Sequence, residues 1–233
     1  MQLWYILAIP ILGAGLAMVP TRKPGLAAGA TVLVTLAVFI LSWKAAWDLG
    51  HGIPVAGTAN WLSCDGLSAL VLLLVSFVGF AAAIISWGYI GNHVDDHGVK
   101  RARRYYRRFN LFLLSMLAVP LLSQIAMVWI AVELTTLLSV FLVRFENTAQ
   151  AMEAAWKYVI LTCMGAALAL IGVLILYWGQ SLAGGGAFTW TGLTAASFKI
   201  SPIFLKTAFL FILVGFGTKA GLVPLQTWLP PPR

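Results

Sequence analysis

The sequence predicts an all-α, polytopic transmembrane bundle of about seven helices, each an apolar run long enough to cross a bilayer. Three observations carry this. The 233 residues are 61% hydrophobic, only 9% are charged, and the apolar residues fall in long runs separated by short polar stretches. Ordinary soluble domains carry roughly 25% charged residues, so a water-soluble fold of this composition would lack groups to cover its surface. Lipid as the outer solvent removes that need. The period-two alternation of a membrane barrel strand is absent.

A span takes about 20 mostly apolar residues. The first run is Leu3 to Val19, closed by Pro20-Thr21-Arg22-Lys23-Pro24. Met1-Gln2-Leu3-Trp4 lacks the positive start of a signal peptide, so this run is expected to be a retained helix. The second run is Gly25 to about Trp47, followed by a polar loop over 48–65. The third runs from Gly66 to Tyr89, with Asp65 placed to cap its N-terminus. A basic loop is expected over Gly91 to Arg108, holding Lys100, Arg101, Arg103, Arg104, Arg107 and Arg108. The fourth run, Phe109 to Ser123, is short and interrupted by Pro120. The fifth is Ile125 to Val143 and the sixth Ala154 to Trp178. A Gly-rich loop, Gly179 to Lys199, leads to the seventh, Ile203 to Leu229. The chain reads as one transmembrane domain, with residues 1–108 holding the first three helices and the basic loop, and 109–233 the rest.

The formal net charge is +8. It is not read as nucleic-acid binding, because the cations cluster in short loops between apolar spans. Arg22 and Lys23, the six cations at 100–108, Arg144 near Lys157, and Arg233 mark alternate loops. By the positive-inside rule these face the cytoplasm, the N-terminus lies outside and the C-terminus inside. Trp4, Trp43, Trp47, Trp61, Trp87, Trp178 and Trp190 fall near span ends, as an aromatic belt would. His51, His93 and His97 are expected in loops. Cys64 and Cys163 have no spacing that suggests a metal site or a disulfide.

The informative residues are ionisable groups inside spans, which are expensive to insert and face protein or water. Glu133 lies about 12 Å into the fifth span. Lys219 lies in Gly215-Phe216-Gly217-Thr218-Lys219-Ala220-Gly221-Leu222-Val223-Pro224, where three glycines and a proline mark a helix broken near Lys219. For each, two readings stand: a proton-handling group, or a structural one. Glu133 would then bond a neighbouring helix, and Lys219 would snorkel to the interface, being about 24 Å along its helix. Lys157, at the start of the sixth span, is either an interfacial anchor or a relay. Thr135, Thr136 and Ser139 are placed to bond across helices. A carboxylate about 4 Å from an ammonium contributes roughly 4 kcal/mol at an effective dielectric of 20. Making and breaking such a pair, with alternating water access, would move protons across the membrane.

Val132-Glu133-Leu134-Thr135-Thr136-Leu137-Leu138-Ser139, Ala154-Ala155-Trp156-Lys157-Tyr158 and the stretch from Gly215 to Pro230 resemble the proton-conducting antiporter-like subunits. That family includes membrane subunits of respiratory complex I, Mrp-type cation/proton antiporters and membrane-bound hydrogenases. The wording is most similar to the hydrogenase-4 or formate-hydrogenlyase type. The resemblance implies a switch formed by Glu133 and Lys219, a lysine–tyrosine pair at Lys157 and Tyr158 in which Lys157 is a relay, and a discontinuous seventh helix. It implies proton translocation driven by electron transfer in a redox peripheral arm, with other membrane subunits as partners, no redox cofactor in this subunit, and a prokaryotic plasma membrane. A cation/proton antiporter subunit moving Na+, and a non-conducting structural subunit, are the alternatives. The sequence departs from the pattern at Gln226, where many members have histidine, and at Pro231-Pro232-Arg233, where the pattern continues Asp-Ala-His. Residues 109–233 therefore resemble an incomplete first repeat, and an inverted second repeat is expected to be missing.

Overall fold

In a computed structural model, residues 3–19, 24–53, 55, 57, 61–91, 96–143 and 149–223 are described. Arg22, Lys23, His93, Arg144 and the motif from Pro224 to Arg233 lie outside them. Eight α-helices occur among the described residues: α1 (Trp4–Leu16), α2 (Pro24–Gly50), α3 (Gly66–Gly91), α4 (Asp96–Leu121), α5 (Ile125–Val143), α6 (Ala149–Leu182), α7 (Trp190–Ala196) and α8 (Pro202–Ala220). Seven of them follow the seven predicted runs in order. Five, namely α2, α3, α5, α6 and α8, are long and apolar enough to cross a membrane. The apolar α1 has 13 residues, about 20 Å of helix. The chain is a multi-pass membrane protein. Its outer faces carry Leu33, Leu67, Leu70, Leu74, Ile85, Met164 and Phe209, each at least 60% exposed, as side chains facing lipid are.

Two expectations are corrected. The basic stretch over Gly91 to Arg108 is not a loop from Asp96 onward, because α4 starts there and also takes in His97. Its charges obscured the helical period. Ala102, Tyr106, Phe109, Asn110 and Leu113 are buried, and their spacing of three and four is the stripe of an amphipathic helix. The Gly179–Lys199 loop is likewise shorter. Helix α6 runs on to Leu182, Gly184, Gly185 and Gly186 turn the chain at φ of +118°, +70° and +115°, and α7 follows, capped by the Thr189 hydroxyl accepting from the Gly192 N–H at 3.1 Å.

The chain forms two compact units, Met1–Leu122 and Ser123–Arg233. In the first, α1 to α4 enclose a core of Leu3, Ile6, Val38, Leu72, Leu113 and Leu117. A buried polar layer ties three of these helices. The Asn110 amide of α4 donates to Thr31 of α2 at 3.0 Å, and the Tyr106 hydroxyl donates to the Ser86 carbonyl of α3 at 3.1 Å. Asp65 caps α3 as expected, its carboxylate accepting from the Ser68 N–H at 2.7 Å. That bond, with the Ser68 hydroxyl second, holds the Asp65 carboxyl below its ordinary value.

In the second unit, α6 packs against both α5 and α8. The α6–α8 seam is built on glycines seven residues apart. A Cβ at Gly165 would meet the Gly215 carbonyl at 2.9 Å, one at Gly172 the Ala208 carbonyl at 2.9 Å, and one at Gly179 the Phe204 Cβ at 2.9 Å. Across the seam, a Cβ at Gly215 would lie 2.3 Å from the Ala169 nitrogen and 2.6 Å from the Gly165 carbonyl. Lipid supplies no hydrophobic drive to join helices, so small residues that allow close backbone approach hold such pairs together.

Gly215→Ala is therefore expected to destabilise the second unit by about 1–3 kcal/mol, the scale of overpacking. Gly88→Ala in α3, where a Cβ meets nothing within 4 Å, should be neutral or slightly stabilising. Unfolding in mild detergent distinguishes the two. Asp65→Ala should cost about 1 kcal/mol at neutral pH. Because the folded carboxyl is depressed, its contribution is full above the ordinary value of 3.8 and fades as pH falls below it. A wild-type advantage that persisted in acid would contradict the cap.

Candidate functional site

The second unit brings Glu133 and Lys219 together. Glu133 sits on α5 and Lys219 in the last turn of α8. The Lys219 Nζ lies 3.9 Å from the Glu133 Oε2, and the two side chains are 17% and 19% exposed. The ammonium also donates to the Val132 carbonyl and to the Thr136 hydroxyl, both on α5. Thr136 is fully buried. The lysine therefore does not snorkel outward; its side chain spans from α8 to α5.

Three features of the fold hold the lysine there. The glycine seam brings α8 against α6, and Thr218, next to Lys219, is buried in it against Gly165. Helix α8 then stops: Gly221 takes φ +77°, and the Gly221 N–H and Leu222 N–H close back on Thr218 and Gly217. A left-handed residue there is what glycine allows at least cost. The break predicted near Lys219 therefore falls at Gly221, two residues beyond it. Gly215 and Gly217 remain helical, and Gly215 serves packing.

The carboxylate has a second partner that the sequence did not single out. The Cys163 thiol of α6 donates to the Glu133 Oε1 at 3.1 Å. The other oxygen, Oε2, is buried with no hydrogen-bond partner among the described residues and faces only the charge of Lys219. One helical turn N-terminal to Glu133 on α5, the Trp129 indole donates to the Ala166 carbonyl of α6 at 2.9 Å. One and a half turns beyond Glu133, Ser139 donates to the Tyr158 hydroxyl at 3.1 Å. These bonds fix α5 on α6 on both sides of the carboxylate. Thr136 and Ser139 thus bond across helices as expected, whereas Thr135 bonds the Val132 carbonyl of its own helix.

Lys157 stands apart from the pair. Its ammonium is 2.5 Å from Glu153 one turn earlier on α6, and both side chains are about two thirds exposed. Its neighbour Tyr158 faces α5 through Ser139. No group of three or more His, Cys, Asp or Glu arranged to hold a metal occurs among the described residues.

Removing Lys219 would leave a carboxylate in the interior facing no cation. Lys219→Met is expected to cost about 3–5 kcal/mol as a broken buried pair does, and Glu133→Gln made in the same chain should recover part of it. A coupling of about 1–3 kcal/mol in a double-mutant cycle of detergent unfolding is the expected result. Strict additivity would show that the two charges do not interact.

Residues 123–232 match the family described as NADH:quinone oxidoreductase/Mrp antiporter, transmembrane. Across 174 residues, or 71% of this chain, the sequence is 36% identical to a hydrogenase-4 component F homolog from Methylacidiphilum infernorum, covering 36% of that protein. Across 170 residues, 72% of this chain, it is 28% identical to a putative antiporter subunit mnhA2 from Staphylococcus aureus, covering 20% of it. The matches thus span about a third or less of these relatives' length. A chain in the solved structure of the membrane-bound sulfane sulfur reductase, an archaeal respiratory membrane complex, superposes over 97% of this chain and 46% of its own, with a TM-score of 0.79 at 20% identity. At that identity the likeness is one of fold.

Proposed function

This chain belongs to the antiporter-like family of membrane subunits, and we propose that it provides a proton-transfer station in a redox-driven membrane complex. Glu133 and Lys219 form the switch, and Lys157 is a relay on the approach to it. The observation that carries the reading is the 3.9 Å approach of two opposite charges in the interior of a membrane unit.

The geometry suits a pair that opens and closes. At 3.9 Å the attraction is about 4 kcal/mol for an effective dielectric of 20. Neither ion depends on the other alone. The ammonium has the Val132 carbonyl and the Thr136 hydroxyl, and the carboxylate has the Cys163 thiol. A proton arriving on the Glu133 carboxylate cancels the attraction that holds the proton on Lys219. The ammonium can then pass its proton onward while both side chains keep hydrogen-bond partners. Reprotonation of Lys219 and deprotonation of Glu133 restore the pair. Net movement requires that water reach the two groups from different sides, which conformational change in a larger assembly would gate.

The orientation that fits the charge distribution puts the N-terminus outside and the basic start of α4 on the cytoplasmic side of a prokaryotic plasma membrane. Partner membrane subunits and a peripheral redox arm would supply the driving force. The similarity to a putative antiporter subunit favours a second reading, in which the same pair serves cation/proton exchange.

In the complete complex containing this chain, Glu133→Gln is expected to cut proton pumping by roughly a hundredfold or more, the lower end of the range in which positioned acid–base groups act. Electron transfer, where present, should become less dependent on the proton gradient. Pumping at the wild-type rate would remove Glu133 from the path. Proton movement in vesicles that required Na+ would assign the antiporter reading instead. Lys157→Gln should slow turnover less than Lys219→Met does.

A further inference from the structure

Helix α4, in the first unit, carries a second feature. Lys100, Arg103, Arg104 and Arg107 fall at i, i+3, i+4 and i+7, which places them on one face. They line a cleft of about 390 Å³ together with Ala17 and Met18, at the end of α1. That volume is within the range of small-ligand sites. Like charges at these spacings repel one another, so the stripe is unfavourable for the helix itself.

One of the four is explained by the fold. The Arg103 guanidinium donates through Nη1 to the Val19 carbonyl at 3.0 Å, satisfying an acceptor just beyond the C-terminus of α1. Its Nε is nonetheless buried with no hydrogen-bond partner among the described residues. A buried unsatisfied donor is uncommon and calls for an acceptor. Lys100 and Arg104 are exposed, and capping α1 does not account for them or for Arg107.

The surroundings specify what the acceptor is. Leu16, Met18 and Val19 are 55%, 57% and 49% exposed beside the cations. Toward its C-terminus, α4 turns apolar from Phe109 onward. Cations therefore line the cleft, and exposed apolar side chains from the end of α1 lie in it and beside it in sequence. A free anion would use only the cations. A lipid uses both, headgroup on the arginines and acyl chain along the apolar flank.

We propose that the cleft between the end of α1 and the N-terminal half of α4 binds the phosphodiester headgroup of an anionic phospholipid. Arg104 and Arg107 present the planar donors that pair with phosphate oxygens, Lys100 adds a third charge, and Met18 contacts the first acyl methylenes.

The test uses the full chain in nanodiscs of phosphatidylglycerol mixed with phosphatidylcholine, followed by native mass spectrometry of the retained lipid. Wild type should keep phosphatidylglycerol in preference to phosphatidylcholine. Lys100→Gln/Arg104→Gln/Arg107→Gln, which leaves Arg103 on α1, should lose that preference by roughly a hundredfold, given the size of a single cation's contribution at an anionic surface. Lys100→Arg/Arg104→Lys/Arg107→Lys should retain most of it. Equal retention of the two lipids by wild type, or unchanged preference in the triple Gln variant, overturns the proposal. Displacement of the lipid by millimolar inorganic phosphate, or an acidic polypeptide found in its place, overturns it as well. Should the triple variant fail to fold, Arg104→Gln alone, with a thermal-shift comparison of wild type in the two pure lipids, gives the same decision.

Discussion

The contact of α6 with α8 governs the geometry of the second unit. Two helices that meet backbone on backbone at Gly165 and Gly172, and side chain on backbone at Gly179, have little freedom to slide or rotate, because almost any displacement drives their atoms together. The seam reaches Thr218, the residue before Lys219. From there the lysine side chain spans the remaining gap to α5. A membrane interior has no hydrophobic force that favours one helix pairing over another. Steric fit at small residues takes that part, and the precision of the charged site is borrowed from it. The side chains on the other faces of these helices are large and apolar, which suits lipid and leaves pairing specificity to the glycines.

The first unit solves the same problem differently. Its helices are joined by a mixed core and a buried polar layer, in which the Asn110 amide donates to Thr31 and the Tyr106 hydroxyl donates to the Ser86 carbonyl. Each bond crosses between helices and replaces one that water would make in a soluble protein. Such bonds are individually modest, but a layer of them fixes rotation about each helix axis. The exposed lipid-facing residues and the enclosed polar ones together account for an organisation that hydropathy alone would leave undetermined.

Much of this was legible in the residues. Seven apolar runs gave seven helices in order, since length and apolarity are what a bilayer selects. Glu133 and Lys219 stood out because hydrocarbon makes unpaired charge costly, and that cost is why they meet. The start of α4 was not legible, because hydropathy weighs cations as loop, whereas the buried stripe through Ala102 and Tyr106 makes them one face of a helix. Cys163 as partner to Glu133 was not legible either. The two lie on different helices, and only the packing of α5 on α6 sets their sulfur and oxygen side by side. Tyr158, named with Lys157, meets α5 through Ser139, while Lys157 turns to Glu153. The glycines near Lys219 all suggest a break, but only Gly221 ends the helix. Glycine's two uses, bending the chain and allowing close approach, look alike in a sequence.

The halt of α8 at Gly221 has one more effect. A helix terminus concentrates the partial negative charge of its unpaired carbonyls, equivalent to about half an electron, and Lys219 sits in that last turn. The carboxylate opposite it can be cancelled by a proton; the peptide dipoles cannot. The cation therefore rests in a field with a permanent part and an erasable part. The permanent part is an attraction on the lysine that neutralising Glu133 would not remove.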